Sequence, residues 1–215
     1  ITEQWRLFFL LTLSFFLRTY DLLHIPLIGD VGRDYLRALS LLRLQSFDLL
    51  GIPSIIPRFS QGPFNIWFDA LSFLFGGVSV FSPPLFAAVL TSIGIACFYT
   101  VCERWFGKHA AFLSALLLAV SPMAILQSRM PFYLFAIPVF TLLLLLALEK
   151  LERVQTKWSI FFIVLSFATL MQWELSSLPL IFLIGYSVIK HFPVWKKHAL
   201  YGLFGGAIGF LPQII

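Results

Sequence analysis

The sequence predicts an all-α integral membrane protein with about seven transmembrane helices and a long first external loop that carries interfacial amphipathic helices. Composition is the first reason. Hydrophobic residues make up 60% of the 215 residues and charged residues only 12%, whereas a soluble domain usually has about a quarter charged residues. The second reason is that long apolar runs recur along the whole chain. The third is the position of the lysines, described below.

A helix that crosses a bilayer needs about 20 mainly apolar residues. The apolar runs predict spans at 5–23, 83–103, 110–127, 132–149, 158–173, 177–190 and 199–215. A shorter run, 64–75, contains Asn65 and Asp69. It is too short to cross easily, so we expect a helix in the membrane plane.

The distribution of lysines favours this topology. If the N-terminus is cytoplasmic and 64–75 does not cross, every lysine faces the cytoplasm, as the positive-inside rule requires. These residues are Lys108, Lys150, Lys157, Lys190, Lys196 and Lys197. If 64–75 crossed, all of them would be external. The net charge of +5 is therefore explained without a nucleic-acid partner, and membrane lipids are the expected surroundings.

The chain is predicted to be a single transmembrane domain, 1–215, from the N-terminal part of a longer protein. Residue 1 is Ile, and residue 215 lies inside an apolar run. The first apolar run is interpreted as an anchor helix, because it lacks the cleavage site of a signal peptide. Cys97 and Cys102 fit buried thiols better than a disulfide.

The first external loop, 24–82, is longer than a simple connection needs, and such loops tend to carry function. From Asp34 onwards, one face of a predicted helix has polar residues at every third position: Asp34, Arg37, Ser40 and Arg43. Another face is apolar: Tyr35, Leu36, Leu39 and Leu42. This pattern is typical of an amphipathic helix in the headgroup plane. The run 64–75 would form a second in-plane helix.

Asp30 lies at the external mouth of the first span, between residues that allow tight turns, Gly29 and Gly32. A carboxylate there is a candidate general base for an acceptor hydroxyl, or a ligand for a hard divalent cation. Asp34 would share a face with it on a helix. The alternative is structural: either aspartate caps the interfacial helix, and Asp34 pairs with a neighbouring arginine.

External arginines are unexpected under the positive-inside rule. Arg33, Arg58 and Arg129 are therefore candidates to bind the phosphate of a lipid, since a guanidinium recognises phosphate with two hydrogen bonds. Ordinary headgroup contact and anchoring are the alternatives.

Gln172 and Glu174 lie at the external end of the fifth span and add polar groups on that side. An acidic residue at that depth is a functional candidate, although Glu174 could equally be solvated. The histidines do not cluster, so no histidine metal site is expected.

Four segments together resemble one family, in order along the chain. They are "GDVGRDYLRA" (29–38), "QGPFNIWFDALSFLFG" (61–76), "ERWFGKHAAFLSALLLAVSPMAILQSRMPF" (103–132) and "MQWELSSLPLIFL" (171–183). They are similar to the corresponding segments of bacterial polytopic glycosyltransferases of the GT-C fold, related to the protein O-mannosyltransferase and aminoarabinose transferase groups.

The resemblance implies an enzyme that moves a sugar from a polyprenyl-phosphate carrier to a lipid, glycan or protein acceptor. It implies a bacterial or archaeal plasma membrane, with the active site on its external face. The family's proposed catalytic acid aligns with Asp30, and the following "RD" matches Arg33 and Asp34. Arg58 and Arg129 would hold the carrier's phosphate.

The chain departs from the family pattern in three places. Val31 stands where the family often has Glu, no acid follows Arg129, and Glu174 stands where a His often sits. These changes weigh against a metal site and could mean an altered or inactive site. A divalent cation, with Asp30 as a ligand, is the one cofactor that stays open. Glu174 could supply the missing second carboxylate. A lipid or sugar transporter or flippase, and an inactive scaffold of the same fold, remain alternatives.

Overall fold

The computed structural model describes residues 4–24, 29–47, 50–51, 60–130 and 132–214. Within those ranges the regular elements are all helices, which confirms the all-α prediction. The chain divides into two compact units. The first contains Ile1–Asp48 and Asn65–Val139, and the second contains Leu49–Phe64 and Phe140–Ile215.

The helices of the first half of the chain are α1 (Gln4–Thr19), α2 (Gly29–Leu42), α3 (Phe64–Gly76), α4 (Ser82–Phe106), α5 (Lys108–Val120) and α6 (Pro122–Arg129). The two helices predicted within the first loop therefore exist as α2 and α3. Gly29 and Gly32 lie inside α2, so the tight turns that these glycines would allow are not formed. A helix accommodates both glycines, and it begins before Asp30 rather than at Asp34.

The core of the first unit lies where α1, α4 and α5 meet. Small residues allow this close approach: Ala111, Ala115 and Ala119 recur every fourth residue of α5 and are fully buried. Leu10 and Ile95 pack against the alanines. Stripes of small residues are a common way to pack helices in lipid, where burial of apolar surface alone does not drive helices together.

The predicted span 110–127 is not one straight helix. It bends by 55° between α5 and α6, because Pro122 begins α6 and cannot continue the hydrogen-bond ladder of α5. Ser121 caps α6 by accepting a hydrogen bond from the backbone of Ala124. At the break, the buried Arg18 of α1 donates to the carbonyl of Ala119 over 3.1 Å.

A second core joins α2 to α3. Its buried apolar members are Val31, Tyr35, Ala38, Ile66, Ala70 and Phe73. The rings of Tyr35 and Phe73 meet edge to face, with centroids 5.3 Å apart. Through this core one face of α2 packs against α3, and the same face carries Asp34.

The helices of the second half are α7 (Ala136–Val154), α8 (Lys157–Trp173), α9 (Ile181–Lys190), α10 (Phe192–Lys197) and α11 (Ala199–Ile214), with a 3-10 helix at Leu175–Leu180. In the second unit α8 packs along α11. Glycines of α11 make the contact: a Cβ at Gly205 would lie 2.6 Å from the carbonyl oxygen of Phe161, and one at Gly209 2.4 Å from the Cβ of Ala168.

Among the described helices, only α4 is by itself long and apolar enough to cross a bilayer; α5 with α6 adds a second if the bent pair counts as one span. Most of the other apolar helices are shorter, and α7 carries charged residues towards its end, so the prediction of seven spans is not confirmed. Large apolar side chains are widely exposed, including Phe182 at 80% and Ile189 at 81%. Exposed apolar surface on this scale suits a lipid environment.

Candidate active site

The first turn of α2 presents Asp30. Because α2 begins at Gly29, this carboxylate stands at the N-terminal end of the helix, where the helix dipole favours negative charge. Its side chain is 53% exposed, and Nη1 of Arg33 lies 3.0 Å from its Oδ1. The carboxylate of Asp30 is thus accessible at the surface and is held in place by the guanidinium of Arg33.

Arg33 connects the two aspartates of the motif. While its Nη1 contacts Asp30, its Nε donates to Oδ1 of Asp34 over 3.2 Å. The two carboxylates are four residues apart, as the helical spacing predicted, yet their surroundings differ. Asp30 is exposed, whereas Asp34 is 1% exposed.

Asp34 points into the α2–α3 contact. Nδ2 of Asn65 donates to its Oδ2 over 3.0 Å. Burial raises the pKa of the Asp34 carboxyl, while the charge of Arg33 and hydrogen bonds from Arg33 and Asn65 oppose that shift. The contact with Arg33 is the one expected if Asp34 pairs with a neighbouring arginine. The burial of Asp34 against α3 was not expected.

Asp69, which we did not predict as a site residue, lies one helical turn after Asn65 and is fully buried. Neither of its carboxylate oxygens has a hydrogen-bond partner among the described residues. Burial and the negative charge of Asp34 raise the pKa of Asp69 well above its ordinary value. The sequence did offer a sign of this residue, because Asp69 is a carboxylate within a short apolar run. Burying a carboxylate costs free energy unless it has a hydrogen-bond or charge partner.

Arg129 ends α6 and lies beside the end of α1. Its Nη2 donates to the backbone carbonyl of Asp21 over 2.6 Å. Both residues line a cleft of about 430 Å³, together with His24 and apolar residues of α6. Arg129 therefore lies at the end of the first unit where α1 ends.

In the second unit, Gln172 and Glu174 lie at the end of α8 and hold the segment that precedes α3. Gln61 donates from Nε2 to Oε2 of Glu174 over 2.6 Å. The backbone N–H of Gly62 donates to the carbonyl of Gln172 over 2.9 Å. A Cβ at Gly62 would lie 1.5 Å from Oε1 of Gln172, so only glycine permits this approach.

The side chains of Gln172 and Glu174 differ in their hydrogen-bond partners. Glu174 is half-buried, and its Oε1 caps the 3-10 helix by accepting from the backbone of Leu175 over 3.0 Å. Gln172 is fully buried, and neither polar atom of its amide has a partner within the described part of the chain. Glu174 is therefore neither freely solvated nor unpaired.

Arg58, a predicted phosphate ligand, lies outside the described residues. Arg18 is a further polar residue that we did not predict; it is 2% exposed and contacts backbone carbonyls of Ser14 and Ala119. In the described ranges, no three side chains of the His, Cys, Asp or Glu types are grouped to hold a metal ion.

A family model described as dolichyl-phosphate-mannose-protein mannosyltransferase matches residues 60–215. The chain belongs to this family. Mannosyltransferases of this family are integral membrane glycosyltransferases of the GT-C type, so the resemblance seen in the sequence is confirmed at the level of the family. No curated protein and no solved structure matches the chain.

The match to the mannosyltransferase family covers α3 to α11, including Arg129, Gln172 and Glu174. It begins after α2, so Asp30, Arg33 and Asp34 lie before it. Their assignment rests on the sequence resemblance and on the geometry of α2.

Proposed function

We propose that this protein transfers a sugar from a polyprenyl-phosphate carrier to an acceptor hydroxyl at the external face of the membrane. Family membership supports the reaction class. The observation that carries the proposal is the exposed Asp30 carboxylate, held 3.0 Å from a guanidinium nitrogen of Arg33 at the start of α2.

Asp30 acts as the general base in this proposal. It takes the proton of the acceptor hydroxyl as the acceptor oxygen bonds to the anomeric carbon of the sugar. The bond between that carbon and the carrier's phosphate oxygen breaks, so the phosphate leaves with the electron pair and the configuration inverts. The exposure of Asp30 supports this role, because an acceptor must reach the base.

Arginines stabilise the departing phosphate in the proposed mechanism. A guanidinium has five N–H donors, and the contact described for Arg129 uses one of them, to the carbonyl of Asp21. The remaining donors suit a phosphate beside the cleft that Arg129 lines. Arg33 and Arg58 are further candidates for this role.

Gln172 and Glu174 are proposed to contact polar groups of the substrate. The buried amide of Gln172 lacks a partner among the described residues, and an amide has both donors and acceptors to offer a sugar hydroxyl. Glu174 and Gln61 would orient the segment that covers this amide.

Replacing the base tests the proposal. Asp30→Asn in the full-length protein, supplied with a polyprenyl-phosphate-linked sugar, should lower turnover by about 10²-fold or more, the usual contribution of a general base. Glu103→Gln, at the far end of α4, is the control and should keep wild-type turnover. Wild-type turnover in Asp30→Asn would rule out the base role.

A lipid or sugar transporter is the second candidate, and the bend between α5 and α6 favours it, because transporters often bind substrate at broken helices. Reconstituted vesicles separate the two functions. Movement of a labelled carrier lipid without any sugar transfer would support transport and contradict the transferase.

A further inference from the structure

Three oxygen-bearing side chains meet where α2 packs on α3. Asn65 and Asp69 are four residues apart on α3 and therefore share one face of that helix. Asp34 reaches the same place from α2, 3.0 Å from Nδ2 of Asn65. Each of the three is at least nine-tenths buried: Asp34 is 1% exposed, Asn65 6% and Asp69 0%.

The unpartnered groups of these three side chains are all oxygens. Both carboxylate oxygens of Asp69 and Oδ1 of Asn65 are buried without a hydrogen-bond donor among the described residues. Arg33 does not satisfy them: its Nη1 contacts Asp30, its Nε donates to Asp34, and its Nη2 has no hydrogen-bond partner among the described residues. Arg37 is a second cation whose charge acts on Asp34. A buried carboxylate without a donor or a counter-charge is strongly unfavourable.

Oxygen atoms of this kind are the ligands of hard divalent cations. Mg²⁺ and related ions bind carboxylate and amide carbonyl oxygens and complete their coordination with water. An ion of charge 2+ would also balance the negative charges of Asp34 and Asp69, which are drawn from different helices.

We propose that Asp34, Asn65 and Asp69 form a binding site for a divalent cation of the Mg²⁺ or Mn²⁺ type. The ion is bound by Asp69, by Oδ1 of Asn65 and by Asp34, and it joins α2 to α3. Because α2 carries Asp30 in its first turn, the ion also keeps the proposed base in position. The three ligands come from the chain's own geometry, and the site stands whether or not Asp30 is the base.

Mn²⁺ is a suitable probe, because its free form has an electron paramagnetic resonance signal that is lost on binding. Full-length protein in detergent is first treated with a chelator and then titrated with Mn²⁺. We expect one ion to bind per chain. Asp69→Asn, which has nearly the same shape without the charge, should weaken binding by roughly tenfold or more, at least the effect of removing an outer-shell partner.

The matched control is Asp21→Asn. Asp21 is an exposed aspartate of the same unit with a positive φ of 56°, a conformation that asparagine tolerates. This variant should bind Mn²⁺ as the wild type does. Asp30→Asn should also retain binding, so loss of transfer in that variant and loss of the ion are separate results.

Two results would overturn the site: no bound Mn²⁺ in the wild type, or equal affinity in Asp69→Asn. Infrared spectroscopy can give a third such result. If Asp69 holds a proton instead of the ion, the wild type will still show the band of a protonated carboxyl at saturating Mn²⁺, and Asp69→Asn will lack that band. If Asp69→Asn does not fold, Asn65→Ala, which keeps both carboxylates, should show the weakened binding instead.

Discussion

At the scale of single residues, the decisive finding is which face of α2 is buried. The sequence pattern placed Asp34 on the polar face and Leu36 on the apolar face of a helix in the headgroup plane. In the structure Asp34 is buried, at 1% exposed, whereas Leu36 is 67% exposed. In lipid an exposed leucine costs little, so apolar periodicity does not identify the inner face.

Asp69 should make stability depend on pH in the absence of metal. Since burial and Asp34 raise its pKa in the folded protein, the folded state retains a proton that the unfolded chain releases at about pH 4. Stability should therefore fall as the pH rises from there towards the raised pKa. The raised pKa of Asp34 acts in the same direction.

Thermal unfolding in detergent with a chelator, followed by tryptophan fluorescence across a pH series, measures this effect. The melting temperature of the wild type should fall with rising pH, and Asp69→Asn should show a shallower slope because the contribution of Asp69 is then lost. An unchanged slope in Asp69→Asn would show that the carboxyl of Asp69 is not the titrating group.

At the scale of helices, small residues and proline decide how elements pack. Pro122 produces the bend between α5 and α6, and Arg18 occupies the break through its bond to Ala119. The proline was visible in the sequence, but the arginine that donates to the buried carbonyl of Ala119 is 101 residues away along the chain. The α8–α11 contact likewise depends on glycines whose partners lie on another helix.

Adding side-chain volume to α11 tests that contact. Gly209→Val would place its Cβ 2.4 Å from the Cβ of Ala168, so helices must separate. We expect a loss of about 1–3 kcal/mol in the free energy of unfolding, as for other overpacked cores. A denaturant titration in detergent provides the measurement.

Gly185→Ala is the control for this substitution. Gly185 lies in α9, and a Cβ there would meet nothing within 4 Å among the described residues. Because alanine restricts the unfolded chain, this variant should be neutral or up to about 1 kcal/mol more stable. If Gly209→Val were as stable as Gly185→Ala, the close packing of α8 and α11 would be wrong.

At the scale of the whole molecule, the proposed function depends on which side of the membrane the charged loops face. Within the second unit, Lys190 at the end of α9 bonds to Glu152 near the end of α7 over 2.8 Å. The two lysine-bearing loops, 149–157 and 190–198, therefore begin at the same end of that unit. This agrees with the predicted common side for both loops.

Lysine labelling tests the orientation. In intact cells, a membrane-impermeant amine reagent should leave Lys150 and Lys196 unmodified, and it should modify both in inverted vesicles, as peptide mapping by mass spectrometry can show. Gln127 is exposed and stands at the external end of the predicted span 110–127, so the added amine of Gln127→Lys should be labelled in intact cells. Labelling of Lys150 from outside would reverse the proposed orientation.

The sequence by itself determined the helical membrane class, the two loop helices α2 and α3, and the family. These properties follow from composition, local periodicity and ordered motifs, which require no knowledge of distant contacts. It also placed Asp30 and Asp34 on one face of a helix, which is local geometry.

Only the tertiary structure decided which polar groups are buried together. Asp34 meets Asn65 across 31 residues, and Gln61 meets Glu174 across 113 residues. Asp69 became notable because it is fully buried and its carboxylate has no hydrogen-bond partner within the described ranges. In a chain whose surroundings are apolar, burial depends on which helices pack together, and local hydrophobicity does not encode that choice.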